Sequence, residues 1–172
     1  MTTISEFIDS TALEESIVTN CPKYREKFLK IVEKSGVGGS DTKNKQALNK
    51  ILSTQSWNWA AFLGNTHWAI YRKEKVLGWG FFTATWLIAG ISMIYISVPA
   101  LDGLGNIFPW IVALVVGMYG NSFVLRNSIQ TYENTTSSKD REQRSLTGLA
   151  LAFGIDIAIV GIIIFLIFEE II

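Results

Sequence analysis

The sequence predicts an all-α fold: a three-span helical integral membrane protein with an interfacial aromatic elbow and a small helical N-terminal head in the cytoplasm. Of its 172 residues, 49% are hydrophobic, and the mean hydropathy of +0.29 is high for a soluble domain. The longest apolar windows all follow residue 75. Charged residues are sorted into blocks instead of being mixed along the chain, which is typical of a membrane topology.

Residues 1–56 are predicted to form a small head of short helices, the first of them in an acidic amphipathic segment at 4–18. Pro22 suits the first turn of a helix and Gly36 its C-terminal stop, while Asp41 is a candidate N-cap for the next helix. The head is too small for a deep core of its own. Its apolar helix faces must therefore pack on each other, on the membrane or on a protein partner.

Residues 57–75, WNWAAFLGNTHWAIYRKEK, combine clustered aromatics with a basic end. Trp and Tyr favour the membrane interface, and Lys and Arg can extend toward lipid headgroups. We expect a short element in the membrane plane that turns into the first span near Gly78, with His67 as an interfacial polar residue. The alternative is that these aromatics pack on the other helices. The residues assigned to this interfacial, lipid-facing motif are Trp57, Asn58, Trp59, Phe62, Trp68, Tyr71, Arg72, Lys73 and Lys75.

Residues 76–172 are predicted to be a three-helix transmembrane domain with spans at 76–98, 107–125 and 146–168. The first window has no charge over 23 residues, which corresponds to about 34 Å of helix. The second is also uncharged, and the third carries one charge, Asp156, near its middle. Soluble helices are seldom apolar on all sides over such lengths, so each window predicts a membrane span.

The connections between the spans predict an orientation. Residues 99–106, PALDGLGN, are rich in turn-forming residues and contain no Lys or Arg, so they predict a tight turn. The fifteen Lys and Arg all fall before the first span or within residues 126–145. Positive residues mark cytoplasmic loops, so the sequence predicts a multi-pass protein with a cytoplasmic N-terminus and its C-terminus outside.

Two stretches also carry a family resemblance. The residues concerned are Asn58, Trp59, Ala60, Ala61, Phe62, Gly64, Trp68, Tyr71, Arg72 and Lys73 in the elbow, and Gly117 and Asn121 in the second span. Over roughly residues 23–127 the chain resembles a bacterial membrane-protein family known only as domain of unknown function 2628. The resemblance implies a protein of the bacterial inner, or cytoplasmic, membrane. It implies no activity, because the family has none assigned.

Asp156 is the most unusual polar residue of the spans. An acid near the middle of a bilayer costs about 2.5–3.5 kcal/mol on insertion scales, and such residues usually face a bundle interior or a partner. Candidate intramembrane polar partners are Thr85 and Tyr119, with Asn121 nearer the cytoplasmic end. Three roles stay open for Asp156: a hydrogen bond to a neighbouring helix, a contact between subunits, or a step on a proton or ion path.

Small residues predict where helices approach each other closely. Those assigned to helix packing are Gly117 and Gly120 in the second span, and Ala150, Gly154 and Ala158 in the third. The three in the third span follow one another at every fourth position, on a different face from Asp156.

The sequence contains none of the common nucleophile, phosphate-binding or zinc-protease motifs, and it has one histidine and one cysteine. We therefore predict no catalytic residue, no metal site and no cofactor, and the zero net charge argues against nucleic acid as a partner. The expected partners are the lipid bilayer and a homo-oligomer or other membrane protein. The predicted function is a non-enzymatic structural or interaction subunit. The alternatives are an oligomeric transporter or channel component that uses Asp156, and a membrane module that binds anionic lipids.

Overall fold

The computed structural model describes residues 2–94 and 99–171, and in these ranges it is all-α, as predicted, with no strand. The elements are α1 (Ile4–Asp9), α2 (Thr11–Ile17), α3 (Cys21–Ser35), α4 (Lys45–Ser53), α5 (Trp59–Tyr71), a π-helical turn (Val76–Gly80), α6 (Phe81–Ile94), α7 (Pro99–Asn134), α8 (Ser138–Arg141) and α9 (Leu146–Ile171). One isolated bridge joins Thr3 to Asp41.

Three stretches are long and apolar enough to cross a membrane, as predicted: Val76–Met93, Gly105–Asn134 and Leu146–Leu166. The last residues of the first predicted span, 95–98, lie outside the described residues. The prediction of a tight turn at 99–106 is wrong, because α7 is already helical from Pro99. Proline is well tolerated in the first turn of a helix, where its missing N–H would have no partner. The second helix is also longer than predicted, since it continues past Leu125 to Asn134.

Helix α3 of the head begins and ends at the residues that the sequence predicted. Helix α3 has Pro22 in its first turn and ends at Gly36, whose φ of +67° is the left-handed conformation that glycine adopts at low cost. The start of the next helix differs from the prediction, because Asn44 and not Asp41 caps α4. The acidic segment 4–18 forms two helices, α1 and α2.

The apolar faces of the head are buried inside the chain itself. Phe7, Phe28 and Ile51 are fully buried in one hydrophobic cluster that also contains Leu125 and Ile129 of α7. The extension of α7 beyond its predicted end therefore supplies the surface on which the head packs. The head thus shares one core with the end of α7.

Polar contacts fix the head to the loop before α9. The Gln143 backbone N–H donates to the Ser16 carbonyl at 2.8 Å, and Arg141 pairs with Glu15. The Thr42 hydroxyl donates to Glu133 near the end of α7. The head, the end of α7 and the segment that connects α7 to α9 thus lie at the same end of the bundle, which we call the head end.

Helix α5 is a hairpin of two short arms, residues 59–64 and 66–71, that reverse at Asn65 (φ 45°, ψ −131°). The first arm leaves the head end along α7: the Asn58 N–H donates to the Gly117 carbonyl at 2.8 Å, and Asn65 Nδ2 reaches the Pro109 carbonyl at 3.3 Å, two turns deeper. The second arm returns along α9, where the Tyr71 carbonyl accepts from the Ser145 N–H at 2.8 Å. We call α5 the re-entrant hairpin.

The re-entrant hairpin differs in position from the aromatic elbow that the sequence predicted. Its backbone does not lie flat but is inserted between α7 and α9. Non-helical backbone at such a depth is tolerated where it is buried in protein. Trp59 is 65% exposed at the start of the first arm, whereas Trp68 in the second arm is 9% exposed. The chain turns into the first span at residues 72–75, where Lys73 has a φ of +57°, and the π-helical segment that follows is continuous with α6 and packs Gly78 against Ile70.

Candidate functional site

Asp156 lies at the point where the re-entrant hairpin, α6 and α9 meet. Its Oδ2 lies 2.7 Å from Nε2 of His67 on the hairpin. Its Oδ1 accepts a hydrogen bond of 2.9 Å from the Trp86 indole N–H on α6. Both oxygens of the carboxyl group are therefore engaged, each by a different element, and the three side chains form one polar site.

Aromatic rings surround this site. The His67 ring stacks on Phe153 with centroids 4.6 Å apart, and it meets the edge of Phe82 at 5.7 Å. The His67 and Asp156 side chains are each 25% exposed. Inside an apolar shell a hydrogen bond between an imidazole and a carboxyl group is stronger than in water. The tautomer of His67 decides which of Nε2 and Oδ2 donates in this contact.

The backbone reversal at Asn65 explains how His67 reaches this position. It aims the second arm back along α9, and His67 is the second residue after the reversal. On α9, Ala152 lies one turn before Asp156 and is fully buried, so Asp156 lies beside the packed face of this helix.

The partners predicted for Asp156 are wrong. The Thr85 hydroxyl donates to the Phe81 carbonyl of its own helix at 2.8 Å. The Tyr119 hydroxyl accepts from Gln55 at 3.0 Å, near the head end. His67, which was predicted at the interface, is one partner of Asp156, and Trp86, which no sequence pattern indicated, is the other. The available signal was Gly64-Asn65, a pair of helix-breaking residues inside an apolar stretch, which permits a reversal that carries His67 inward.

A second polar layer joins the start of the hairpin to α7. Asn121 Oδ1 accepts from Asn58 Nδ2 at 2.8 Å, and Asn121 Nδ2 donates to the Ser56 carbonyl at 3.2 Å. Asn58 also caps α5, since its Oδ1 accepts from the Ala61 N–H at 3.2 Å. Asn58 is buried, so the prediction that it faces lipid is wrong. This layer holds the hairpin in place through bonds between amide groups that lie away from water.

Two charged side chains, Arg72 and Glu74, are buried at the head end. Arg72 is 5% exposed, donates from Nη2 to the Tyr24 hydroxyl at 3.0 Å and lies over the Tyr24 ring at 4.7 Å. Glu74 is also buried, and this burial raises the pKa of its carboxyl group to about 7, against the opposing effects of Asn127 and Arg126. The prediction that Arg72 faces lipid headgroups is therefore wrong, because Tyr24 holds it inside.

The other members of the predicted interfacial motif divide between the interior and the surface. Lys73 donates to the Glu142 carbonyl at 2.7 Å, and Lys75 is exposed. Tyr71 is half-buried and Trp57 is exposed. Trp68 is buried against Gly120. The motif is therefore a mixture of packing residues and surface residues.

The small residues that were predicted for helix packing lie on two different surfaces. A Cβ at Gly117 would lie 2.9 Å from Phe62, and one at Gly120 would lie 2.9 Å from Trp68, so both glycines seat the hairpin on α7. In α9 the predicted packing residues Ala150, Gly154 and Ala158 are exposed, and a Cβ at Gly154 would meet no atom within 4 Å. This face of α9 is uncovered within the chain.

The three apolar helices and the polar site between them define a multi-pass helical membrane protein. Comparisons with protein-family models, with curated proteins and with solved structures find no match to this chain. The resemblance to the family of domain of unknown function 2628 therefore stays a prediction.

Proposed function

We propose that this protein is a non-enzymatic interaction subunit in the membrane, and that α9 contacts a second copy of the chain. The observation that carries this proposal is how little α9 is covered. Only 6% of its membrane-spanning window is buried, compared with 44% for α7. Within the chain, α9 packs mainly on the re-entrant hairpin.

The uncovered face of α9 has the residues that close helix association requires. In lipid there is no hydrophobic drive between helices, so their association depends on close packing and on polar bonds. Asp156 is engaged within the chain on the inner face, so association through the outer face rests on close packing. Ala150, Gly154 and Ala158 line the outer face at one-turn intervals, where a second backbone can approach closely. Two copies of this face would form a two-fold symmetric contact, the commonest arrangement in oligomers.

We expect Gly154→Leu to convert a dimer into a monomer. The added side chain would project from the outer face of α9 and hold the two backbones apart, while nothing within 4 Å opposes it inside the chain. Native mass spectrometry of the protein, gently extracted from membranes, measures the outcome. Gly90→Leu in α6 is the matched control, because Gly90 also has no atom near its Cβ position. A monomeric wild-type protein would contradict the proposal.

A second candidate function, proton-linked transport, is favoured by one observation. A lone acid makes a poor relay, but Asp156 has His67 beside it, and a proton can pass between Nε2 and Oδ2. If the pair carries protons, liposomes containing the wild-type protein should acidify in response to a pH gradient faster than empty liposomes. Asp156→Asn and His67→Gln should each abolish this flux, and Thr85→Val should not. Equal rates for wild type and empty liposomes would exclude this role.

A further inference from the structure

Four lysines form a stripe along α3. Lys23, Lys27, Lys30 and Lys34 are spaced by four, three and four residues, so they fall within about 60° of the helix circumference at 3.6 residues per turn. Lys23, Lys30 and Lys34 are exposed, and Lys27 is half-buried. We call this set the lysine stripe. It borders the buried face of α3, on the side of Tyr24 and Ile31.

The lysine stripe faces the start of the re-entrant hairpin across two clefts. One cleft, of about 240 Å³, is lined by Lys23, Lys27 and Trp59 together with Asn20, Tyr24, Asn58 and Ala60. The other, of about 470 Å³, is lined by Lys30, Lys34 and Trp57. The two indole rings meet edge to face at 5.2 Å, so they separate the clefts. Each cleft thus combines two ammonium groups with one tryptophan.

Exposed apolar side chains continue from the clefts along the first arm of the hairpin. Trp59 is 65% exposed and Leu63 is 77% exposed. Because this arm runs away from the head end beside α7, these side chains lie toward the apolar part of the bundle, with the lysine stripe on the head side. Positive groups above apolar groups match the order of headgroup and acyl chain in a lipid leaflet.

The charges around the clefts favour an anionic occupant. The described residues that line the two clefts include no Asp or Glu. Glu26 pairs with Lys30 at 2.6 Å, but both side chains are more than 60% exposed, at 68% and 64%, and such a pair competes weakly with other anions. Burial lowers the pKa of the Lys27 ammonium; Glu26 raises this pKa and Lys23 lowers it. A phosphate group in the cleft would offset the repulsion between the neighbouring lysines.

We propose that the lysine stripe, with Trp57 and Trp59, binds the phosphate headgroups of anionic phospholipids, while their acyl chains lie along Trp59 and Leu63. This site is on a different surface from the α9 face and does not depend on association of two copies. It also differs from the Arg72, Lys73 and Lys75 cluster that the sequence suggested.

Lipid binding to the full-length protein in neutral detergent tests the proposal, with native mass spectrometry to count bound lipids. We expect phosphatidylglycerol to bind about tenfold more tightly than phosphatidylcholine of the same acyl chains, since several lysines act together near one headgroup. Changing all four lysines of the stripe to Gln should remove this preference. Trp59→Ala should weaken binding of both lipids.

The matched control changes Lys43, Lys45, Lys50 and Lys139 to Gln, which removes the same charge from exposed positions that do not line either cleft. This control should keep the preference for phosphatidylglycerol. Equal binding of the two lipids to the wild-type protein, or an equal loss in the control, would overturn the proposal. Displacement of the lipid by millimolar inorganic phosphate would also overturn it, because the site would then recognise a free anion.

Discussion

Asp156→Leu is expected to release α9 from the re-entrant hairpin while α6 and α7 stay packed. The substitution removes the acceptor for Trp86 and the partner of His67, and both groups would stay in apolar surroundings. Each unsatisfied group costs about 1–3 kcal/mol when buried, so for the two groups we expect a loss of about 2–6 kcal/mol in the free energy of unfolding. The effect should be local, because α9 packs mainly on the hairpin.

Two measurements separate release of α9 from general unfolding. Titration with denaturing detergent in mixed micelles gives the free energy of unfolding. Disulfide formation between Ile70→Cys and Gly148→Cys, in a Cys21→Ser background, reports whether α9 stays docked, because the Ile70 side chain lies 3.3 Å from a Cβ at Gly148. We expect efficient cross-linking in the otherwise unchanged protein and little in Asp156→Leu.

Two control variants show how much of the lost free energy of unfolding in Asp156→Leu comes from the hydrogen bonds of Asp156. Asp156→Asn keeps an oxygen that accepts from Trp86, so it should be less destabilising than Leu. Ile157→Leu, at a neighbouring position that is 73% exposed, should change nothing. If Asp156→Leu cross-links and unfolds as the wild type does, the polar site does not hold α9.

Gly78→Ala is expected to have the second large effect. A Cβ at this position would lie 2.8 Å from the backbone nitrogen of Ile70 and 3.0 Å from its Cα. Backbone atoms of a packed hairpin cannot rotate away, so the π-helical turn and the second arm would have to separate. Overpacking of this kind costs about 1–3 kcal/mol, which we expect as a lower free energy of unfolding in mixed micelles.

Two other glycines provide the comparison for Gly78. A Cβ at Gly120 would lie 2.9 Å from the Trp68 ring and 3.2 Å from the Ala61 Cβ, which are side-chain atoms and not backbone, so Gly120→Ala should cost less than Gly78→Ala. Gly90→Ala would meet nothing within 4 Å and should be neutral or stabilise the helix by up to about 1 kcal/mol. The explanation from backbone contact fails if Gly78→Ala and Gly90→Ala unfold alike.

The parts of the fold that local sequence determines were predictable. The three spans follow from the length of uncharged apolar windows, and α3 follows from Pro22 and Gly36 at its ends. The re-entrant hairpin was not predictable in the same way. Its reversal depends on the conformation of one residue, Asn65, and on a carbonyl at Pro109 that is 44 positions away. Apolar composition alone does not distinguish an element on the membrane surface from one inserted between helices.

Of the candidate site, Asp156 was predictable from the local sequence and His67 was not. Asp156 is conspicuous as the only acid in the predicted spans, but His67 lies 89 positions earlier and no periodicity connects the two. The run Arg72-Lys73-Glu74-Lys75 looks uniformly solvated in the sequence. The structure buries Arg72 and Glu74 and exposes Lys73 and Lys75, and Tyr24 of the head is the contact that selects Arg72.

The core shared by the head and the end of α7 imposes an order on biosynthesis. Residues 1–53 leave the ribosome before α7 does, but the core that they share with Leu125 and Ile129 is complete only when α7 has been made and placed. Contacts between distant parts of the chain form late, because a long loop must be closed before they contribute. His67 likewise gains its partner only when Asp156, 89 positions later, has been made. The head is therefore translated before the surface on which it packs, and a nascent chain halted before α7 would expose part of the apolar surface of the head.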